Sequence, residues 1–131
     1  AIKDGGIRKQ VRLLGYRSNV GEMLADYDIG VTCSKAEGFG RCTVEYMLAG
    51  LVTIASDTGA NPEIIVDKVS GLLYKYNDIK HLSKTIQWVI EHGKERQRIA
   101  EAGYLAASTE YSKEEHADKI YEVYQKCLMN P

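Results

Sequence analysis

The 131-residue sequence has no excess of charge of either sign, because 17 Lys and Arg residues stand against 18 Asp and Glu residues. A protein that binds nucleic acid usually carries a basic face, so we expect no nucleic-acid partner. The sequence also has no apolar run of about 18 residues, the length from which a transmembrane helix is inferred. We therefore expect no membrane-spanning segment.

Cysteine is scarce, and the three cysteines are Cys33, Cys42 and Cys127. Their number is odd and their spacing does not match that of metal ligands. The simplest interpretation is reduced thiols in a cytoplasmic protein, with Cys33 and Cys42 as small core residues and no metal site.

Hydrophobic residues make up 44% of the chain and charged residues 27%, which is typical of one globular domain with a substantial core. Short apolar runs predict strands at residues 11–14, 29–33, 52–55 and 71–74. Helical patterns lie between them, at residues 20–27 and 43–49 and from Asn61, and three further helices follow Asp78. This alternation predicts an α/β domain with a parallel sheet. The last helix is expected to start at a Ser112–Glu115 capping box and to bury Ile120, Val123, Tyr124 and Cys127.

One segment carries most of the functional signal, and it runs Glu37-Gly38-Phe39-Gly40-Arg41-Cys42-Thr43-Val44-Glu45. A helix that begins after a glycine turn presents unpaired N–H groups and the positive end of its dipole, which suits phosphate. A carboxylate on either side suits sugar hydroxyls. The segment therefore predicts a nucleotide-linked sugar, with Glu37 on one sugar and Glu45 on another.

Three loops follow predicted strands, at residues 15–19, 34–40 and 56–61. Ligands of open parallel sheets bind outside the carboxyl ends of the strands, so we expect these loops to converge on one site. In the first loop, Gly15, Tyr16 and Arg17 are candidates for contact with a nucleobase. Tyr16 and Arg17 are equally compatible with plain surface positions.

The segment from Glu37 to Gly50, followed by Ile54-Ala55-Ser56-Asp57-Thr58-Gly59 and Pro62-Glu63-Ile64, resembles the donor-binding half of a family-4 retaining glycosyltransferase of the GT-B fold. The resemblance implies a three-layer, Rossmann-like parallel sheet with C-terminal helices. The sequence departs from the family pattern at four positions, which are Arg41, Tyr46, Val52 and Ala60.

The resemblance also implies residue roles. Glu37 would be the catalytic residue that orients the donor sugar, and Glu45 would bind the ribose hydroxyls. Backbone N–H groups around the intervening turn would meet the donor sugar and its phosphates, at Gly38, Phe39, Gly40, Arg41 and Cys42. The expected reaction is retaining transfer of a hexosyl group from a UDP-, GDP- or ADP-sugar to a glycan or lipid-linked acceptor, without a metal or other cofactor.

Relatives of this kind have a preceding acceptor-binding domain and an Arg–Lys pair that grips the donor diphosphate. Residues 1–131 are therefore expected to form a single nucleotide-sugar-binding domain that is truncated at its N-terminus and inactive alone. The expected setting is polysaccharide or surface-glycan synthesis in the cytoplasm, with peripheral association of the full-length protein at the inner face of the membrane.

The same residues are compatible with several different roles. Glu45 could simply form an ion pair with Arg41, one helical turn away. The run from Gly38 to Thr43, with Asp57 about 20 residues later, has a partial likeness to a dinucleotide-binding fingerprint, although Thr43 replaces its third glycine. A GT-B nucleotide-sugar epimerase and a non-catalytic nucleotide-binding or interaction domain would also fit the sequence.

Overall fold

The computed structural model describes residues 6–7 and 9–129. Irregular chain leads into an alternation of helices and strands. Their bounds are α1 Val20–Leu24, β1 Ile29–Thr32, α2 Arg41–Leu48, β2 Val52–Ser56, α3 Asn61–Ile64, β3 Leu72–Tyr74, α4 Ile79–Glu91, α5 Gly93–Glu110 and α6 Lys113–Met129.

The three strands form one parallel sheet in the order β1-β2-β3. Ile29 lies opposite Val52, and Ile54 lies opposite Leu72. A parallel pair needs a crossover connection, and here α2 links β1 to β2. The prediction of a parallel α/β sheet is confirmed, and the carboxyl ends of all three strands lie at the same edge.

Every residue of β2 is buried, which shows that both faces of the sheet are covered. Helices pack on each face. On one face, Val52 and Ile54 pack with Val89 of α4 and Ile99 of α5. The other face has a separate core cluster of buried residues, which are Val44, Met47, Ala55, Ile64, Ile65 and Ala107. These two clusters give the three-layer, Rossmann-like arrangement that was expected.

The strand predicted at residues 11–14 is wrong. Residues 11–17 are irregular, and Leu13 is 85% exposed. A strand is stabilised by hydrogen bonds to a neighbouring strand. Within residues 6–7 and 9–129, β1 pairs with β2 alone, so this apolar run has no pairing partner there.

The prediction for α6 is half confirmed. The Glu115 backbone N–H donates to Ser112 Oγ at 3.1 Å, so the expected cap is present. The expected buried face is wrong, because Ile120, Val123, Tyr124 and Cys127 are all exposed and neither core cluster includes a residue of α6. Helical spacing shows that a face is apolar, but it does not show that another element covers that face.

Two predictions about small residues near β1 and α2 also need correction. Cys33 and Cys42 are both exposed free cysteines rather than core residues. β1 ends at Thr32, so Cys33 already lies in the following loop, and Cys42 lies in the open first turn of α2.

None of the helices in the described ranges is long and apolar enough to cross a membrane.

Candidate functional site

The loops that follow β1 and β2 meet at the carboxyl edge of the sheet. The first of them carries Glu37, which is half-buried. The Ala60 backbone N–H, from the second loop, donates to the Glu37 carbonyl oxygen at 3.1 Å. Glu37 therefore stands on a loop whose backbone is held by its neighbour.

The N-terminus of α2 is open. Its N-cap is Gly40, whose φ of +78° lies in the left-handed region, and no side chain caps the helix. This conformation favours glycine, and a Cβ at Gly40 would also lie 2.7 Å from Ile64 Cδ1, the end of a side chain that would have to turn aside. Among the described residues, Val44 is the first in the helix whose backbone N–H donates to a backbone carbonyl oxygen, which is that of Gly40 at 3.2 Å. The exposed N–H groups before it, at Arg41 and Cys42, are suited to an anion.

Glu45 lies one turn into α2, and it forms the ion pair with Arg41 that the sequence left open. Arg41 Nη2 and Glu45 Oε1 are 3.7 Å apart, and the two side chains are 82% and 44% exposed. An exposed helical pair at this spacing contributes only about 0.3–0.5 kcal/mol. The pair is therefore weak enough for a ligand with several hydroxyl groups to displace it.

Two hollows flank this ion pair, and Arg41 and Glu45 line both. The first hollow, of about 520 Å³, lies between α1 and α2. The rest of its lining comes from Ser18, Val20, Gly21, Leu24, Leu48 and Ala49. Its volume falls within the range of small-molecule sites in proteins.

The second hollow, of about 460 Å³, lies towards the junction of α5 and α6. The rings of Phe39 and Tyr111 meet there edge to face, with centroids 5.8 Å apart. The sequence offered no core partner for Phe39, which stands between two glycines. The contact with Tyr111 supplies that partner. Lys119 of α6, whose Nζ lies 3.3 Å from Glu115 Oε1, also lines the hollow. No local sequence signal identifies Lys119, because only the fold brings α6 beside α2.

The structure does not gather every candidate residue into these hollows. Gly15, Tyr16 and Arg17 are all exposed, Tyr16 to 93%. None of the three lines either hollow, whereas Ser18 lines the first. Glu37 lines neither hollow and lies at the loop that joins β1 to α2. The nucleobase contacts expected of residues 15–17 stay a prediction.

A buried polar network that the sequence pattern did not predict lies below the open turn. Thr43 Oγ1 donates to Asn61 Oδ1 at 2.8 Å, and Asn61 Nδ2 donates to the Ser56 carbonyl oxygen at 3.1 Å. Ser56 Oγ in turn donates to the Ser34 carbonyl oxygen at 2.7 Å. The network joins α2, α3 and the ends of β1 and β2. The available signal was Thr43, a polar residue on the apolar face of its helix.

Tyrosines around the site remain protonated at neutral pH. Burial raises the pKa of Tyr46, and the nearby Cys42 and Glu45 raise it further. Burial also raises the pKa of Tyr111, followed by the charges of Glu110 and Glu63. Each phenol therefore stays a neutral hydrogen-bond donor beside the candidate site.

An Asp-x-Asp tripeptide, Asp26-Tyr27-Asp28, directly precedes β1. Paired aspartates can hold a divalent cation. Here they lie at the amino edge of the sheet, opposite the edge that carries Glu37. Asp28 Oδ1 is 3.9 Å from Nη2 of Arg96, an ion pair between an exposed aspartate and a half-buried arginine. The tripeptide is therefore separate from the candidate site.

Comparisons of the sequence and of the structure with known proteins point to the same family. The family model of the group 1 glycosyl transferases matches residues 1–106. The lipopolysaccharide core biosynthesis mannosyltransferase LpsB of Rhizobium meliloti is 24% identical over 97% of this chain and 37% of its own length. The chain thus spans little more than a third of that relative.

Solved structures agree. Anabaena HepE in complex with UDP superposes with a TM-score of 0.91 at 27% identity, over 95% of this chain and 35% of that one. The C-terminal domain of LpcC, a group 1 family protein from Francisella tularensis, gives a TM-score of 0.75 at 30% identity, over 86% of this chain and 59% of that one.

Proposed function

The chain belongs to the group 1 glycosyl transferases, and from that premise we propose that it is the donor-binding domain of a family-4 retaining glycosyltransferase. The substrate would be a nucleotide sugar, and the group transferred a hexosyl unit. The observation that carries the proposal is the open N-terminus of α2 at Gly40, flanked by Glu37 and Glu45.

The donor phosphates would lie at the uncapped turn of α2. The free N–H groups of Arg41 and Cys42 and the positive end of the helix dipole favour a dianionic group there. The Arg41 side chain is 82% exposed on the same turn and adds a solvent-exposed cation. These groups would stabilise the negative charge that develops on the leaving diphosphate, which is the main electrostatic task of such a transfer.

The nucleoside would occupy the first hollow, between α1 and α2. Glu45 lines this hollow one turn beyond the phosphate position, as a carboxylate that binds the ribose hydroxyls would have to do. HepE, which shares this fold, was solved with UDP bound, and UDP is therefore the first nucleotide to test.

Glu37 would orient the donor sugar. It precedes the phosphate turn, and the hydrogen bond from Ala60 fixes its backbone. During a retaining transfer the glycosyl–phosphate bond lengthens towards an oxocarbenium-like state. Glu37 would hold the sugar hydroxyls in place during that change without acting as a covalent nucleophile.

The biological setting that fits best is surface-glycan synthesis, since LpsB is named for lipopolysaccharide core biosynthesis. We place the whole protein on the cytoplasmic side of a membrane, where nucleotide sugars and lipid-linked acceptors meet. The acceptor would bind outside the residues described here. No metal is required by this scheme, because N–H groups and cations perform its electrostatic task.

The proposal is tested by titrating the ¹⁵N-labelled chain with UDP, GDP and ADP and with their glucose conjugates, followed by NMR. The amide signals of Gly38, Gly40 and Cys42 should shift with one nucleotide. Glu45→Gln should weaken that binding by roughly tenfold or more, because hydrogen bonds to a charged group contribute about 1.5–3 kcal/mol.

The matched control is Glu122→Gln, since Glu122 forms an exposed helical ion pair with Lys126 at 3.9 Å and lines neither hollow. This variant should bind like the wild type. Absence of shifts with all six compounds, or equal affinities of the two variants, would overturn the proposal.

A further inference from the structure

The side chain of Asn61 is fully buried, although its neighbours Pro62 and Glu63 in α3 are exposed. Its Oδ1 accepts from Thr43 Oγ1 at 2.8 Å, and its Nδ2 donates to the Ser56 carbonyl oxygen at 3.1 Å. A flipped amide would set its own oxygen against that carbonyl. The orientation of Asn61 is therefore fixed, and a side chain that suits a helix cap is used instead to link three elements.

The same amide lies directly against the open turn of α2. A Cβ at Gly40 would lie 3.5 Å from Asn61 Oδ1. Thr43, the partner of Asn61, is the third residue of the helix and is itself fully buried. Asn61 thus lies beside Gly40, the N-cap of the helix, and contacts the first inward-facing side chain of its first turn.

Neighbouring residues extend this contact to the carboxylate loop. The backbone of Gly59 packs against Glu37, and the Ala60 N–H donates to the Glu37 carbonyl oxygen at 3.1 Å. Residues 59–61 therefore support the segment from Glu37 to Thr43 at three places. A binding site must be held to within about 0.5 Å to be effective, and this support lies where such precision is needed.

We propose that Asn61 is a positioning residue for donor binding. It acts through Thr43 to hold the first turn of α2, so that the N–H groups around Gly40 point to where the phosphates bind. Asn61 is fully buried and does not itself touch the donor. This inference rests on the proposed function, because it assigns a task to the turn that the proposed function uses.

The test replaces Thr43, so that Asn61 keeps its place but loses its hydrogen-bond donor. Thr43→Val removes the hydroxyl at constant shape, and Thr43→Ser restores it. Thr53→Val is the matched control, because Thr53 is equally buried and donates to the Leu51 carbonyl oxygen at 3.3 Å, near the amino end of β2. Thr43→Ala, which gains helix propensity, replaces Thr43→Val if that variant does not fold.

Two quantities are measured on each variant, namely the amide shifts of Gly38 and Gly40 without ligand and the affinity for UDP by NMR titration. Thr43→Val should move both amides and weaken UDP binding by roughly fivefold or more, as expected for loss of a buried hydrogen bond. Thr43→Ser should restore both quantities to wild-type values. Thr53→Val should change neither, even though it loses stability.

The outcomes separate the two claims. If Thr43→Val and Thr53→Val give the same amide shifts and the same affinity, Asn61 is a structural residue and the inference is overturned. If the wild type binds no nucleotide, the proposed function is overturned. The ligand-free amide shifts then still decide whether Asn61 positions the turn.

Discussion

Gly59 packs directly on the backbone of Glu37: a Cβ added to Gly59 would lie 2.5 Å from the Glu37 nitrogen and 2.8 Å from its carbonyl oxygen. No side chain can occupy that space, because the obstructing atoms are backbone. The conformation of the β2–α3 loop and the position of the catalytic candidate Glu37 are therefore set together.

We expect Gly59→Ala to displace the Glu37 loop and to lower stability. The φ of Gly59 is +60°, so alanine adds backbone strain of about 1 kcal/mol and, because it must displace backbone, a further 1–3 kcal/mol of overpacking. Urea unfolding measures the sum. Gly50→Ala is the control, since Gly50 has φ +75° but open space at the Cβ position. Equal losses in the two variants would show that the contact with Glu37 has no energetic weight.

Glu37→Ala should separate sugar recognition from nucleotide recognition. The carboxylate precedes the phosphate turn, so UDP affinity should stay close to that of the wild type. The additional affinity of UDP-glucose over UDP should be lost, a change of about 1.5–3 kcal/mol if hydrogen bonds to the charged group are responsible. Calorimetric titration with both compounds provides the comparison, with Glu63→Ala as the control for an exposed acid nearby. An equal loss for UDP and UDP-glucose contradicts the assigned role.

Gly30→Ala should strongly destabilise the domain. A Cβ at Gly30 of β1 would lie 2.4 Å from Tyr46 Cγ and 2.7 Å from Tyr46 Cβ, so α2 would have to move away from the sheet. Such overpacking costs about 1–3 kcal/mol. Gly21→Ala should instead stabilise α1 by about 0.5–1 kcal/mol, since its Cβ position is open and alanine favours a helix. Thermal melts of both variants suffice, and a neutral Gly30→Ala would refute the packing of α2 on β1.

Tyr74 should make the fold sensitive to alkali. Burial, followed by a hydrogen bond with Cys33, raises the pKa of Tyr74 from 10.0 to about 12. The folded state therefore holds the proton more tightly, and the resulting stability is complete below pH 10 and is lost as the pH rises towards 12. A shift from 10.0 to about 12 corresponds to roughly 3 kcal/mol.

Tyr74→Phe removes this contribution. Its free energy of unfolding, measured in urea across the same pH range, should fall less steeply than that of the wild type. The other tyrosines are common to both proteins, so the difference between the two curves isolates Tyr74. Parallel curves would contradict the raised pKa.

Local chemistry made the central part of the fold predictable. The glycine turn at Gly40 and the apolar positions Val44 and Met47 placed α2 within two residues of its observed start, and the strand runs gave the parallel sheet. Residues 11–14 and the exposed face of α6 were mispredicted because an apolar pattern does not show which other element will pack against it or pair with it. Asn61 was placed correctly at the start of a helix, but the role of its side chain was missed, because its amide bonds to Thr43, which is distant in the sequence.

Helix α5 contributes side chains to the core clusters on both faces of the sheet. Ile99 lies in the core cluster on one face of the sheet, and Ala107 lies in the cluster that also contains Val44 and Met47 of α2. Between them, Gly103 leaves room for the Ser70 carbonyl oxygen, 2.5 Å from where a Cβ would stand. The core cluster on one face of the sheet cannot unfold alone while α5 stays in place. In hydrogen exchange, the most protected amides on the two faces should therefore lose their protection together, in a single cooperative step.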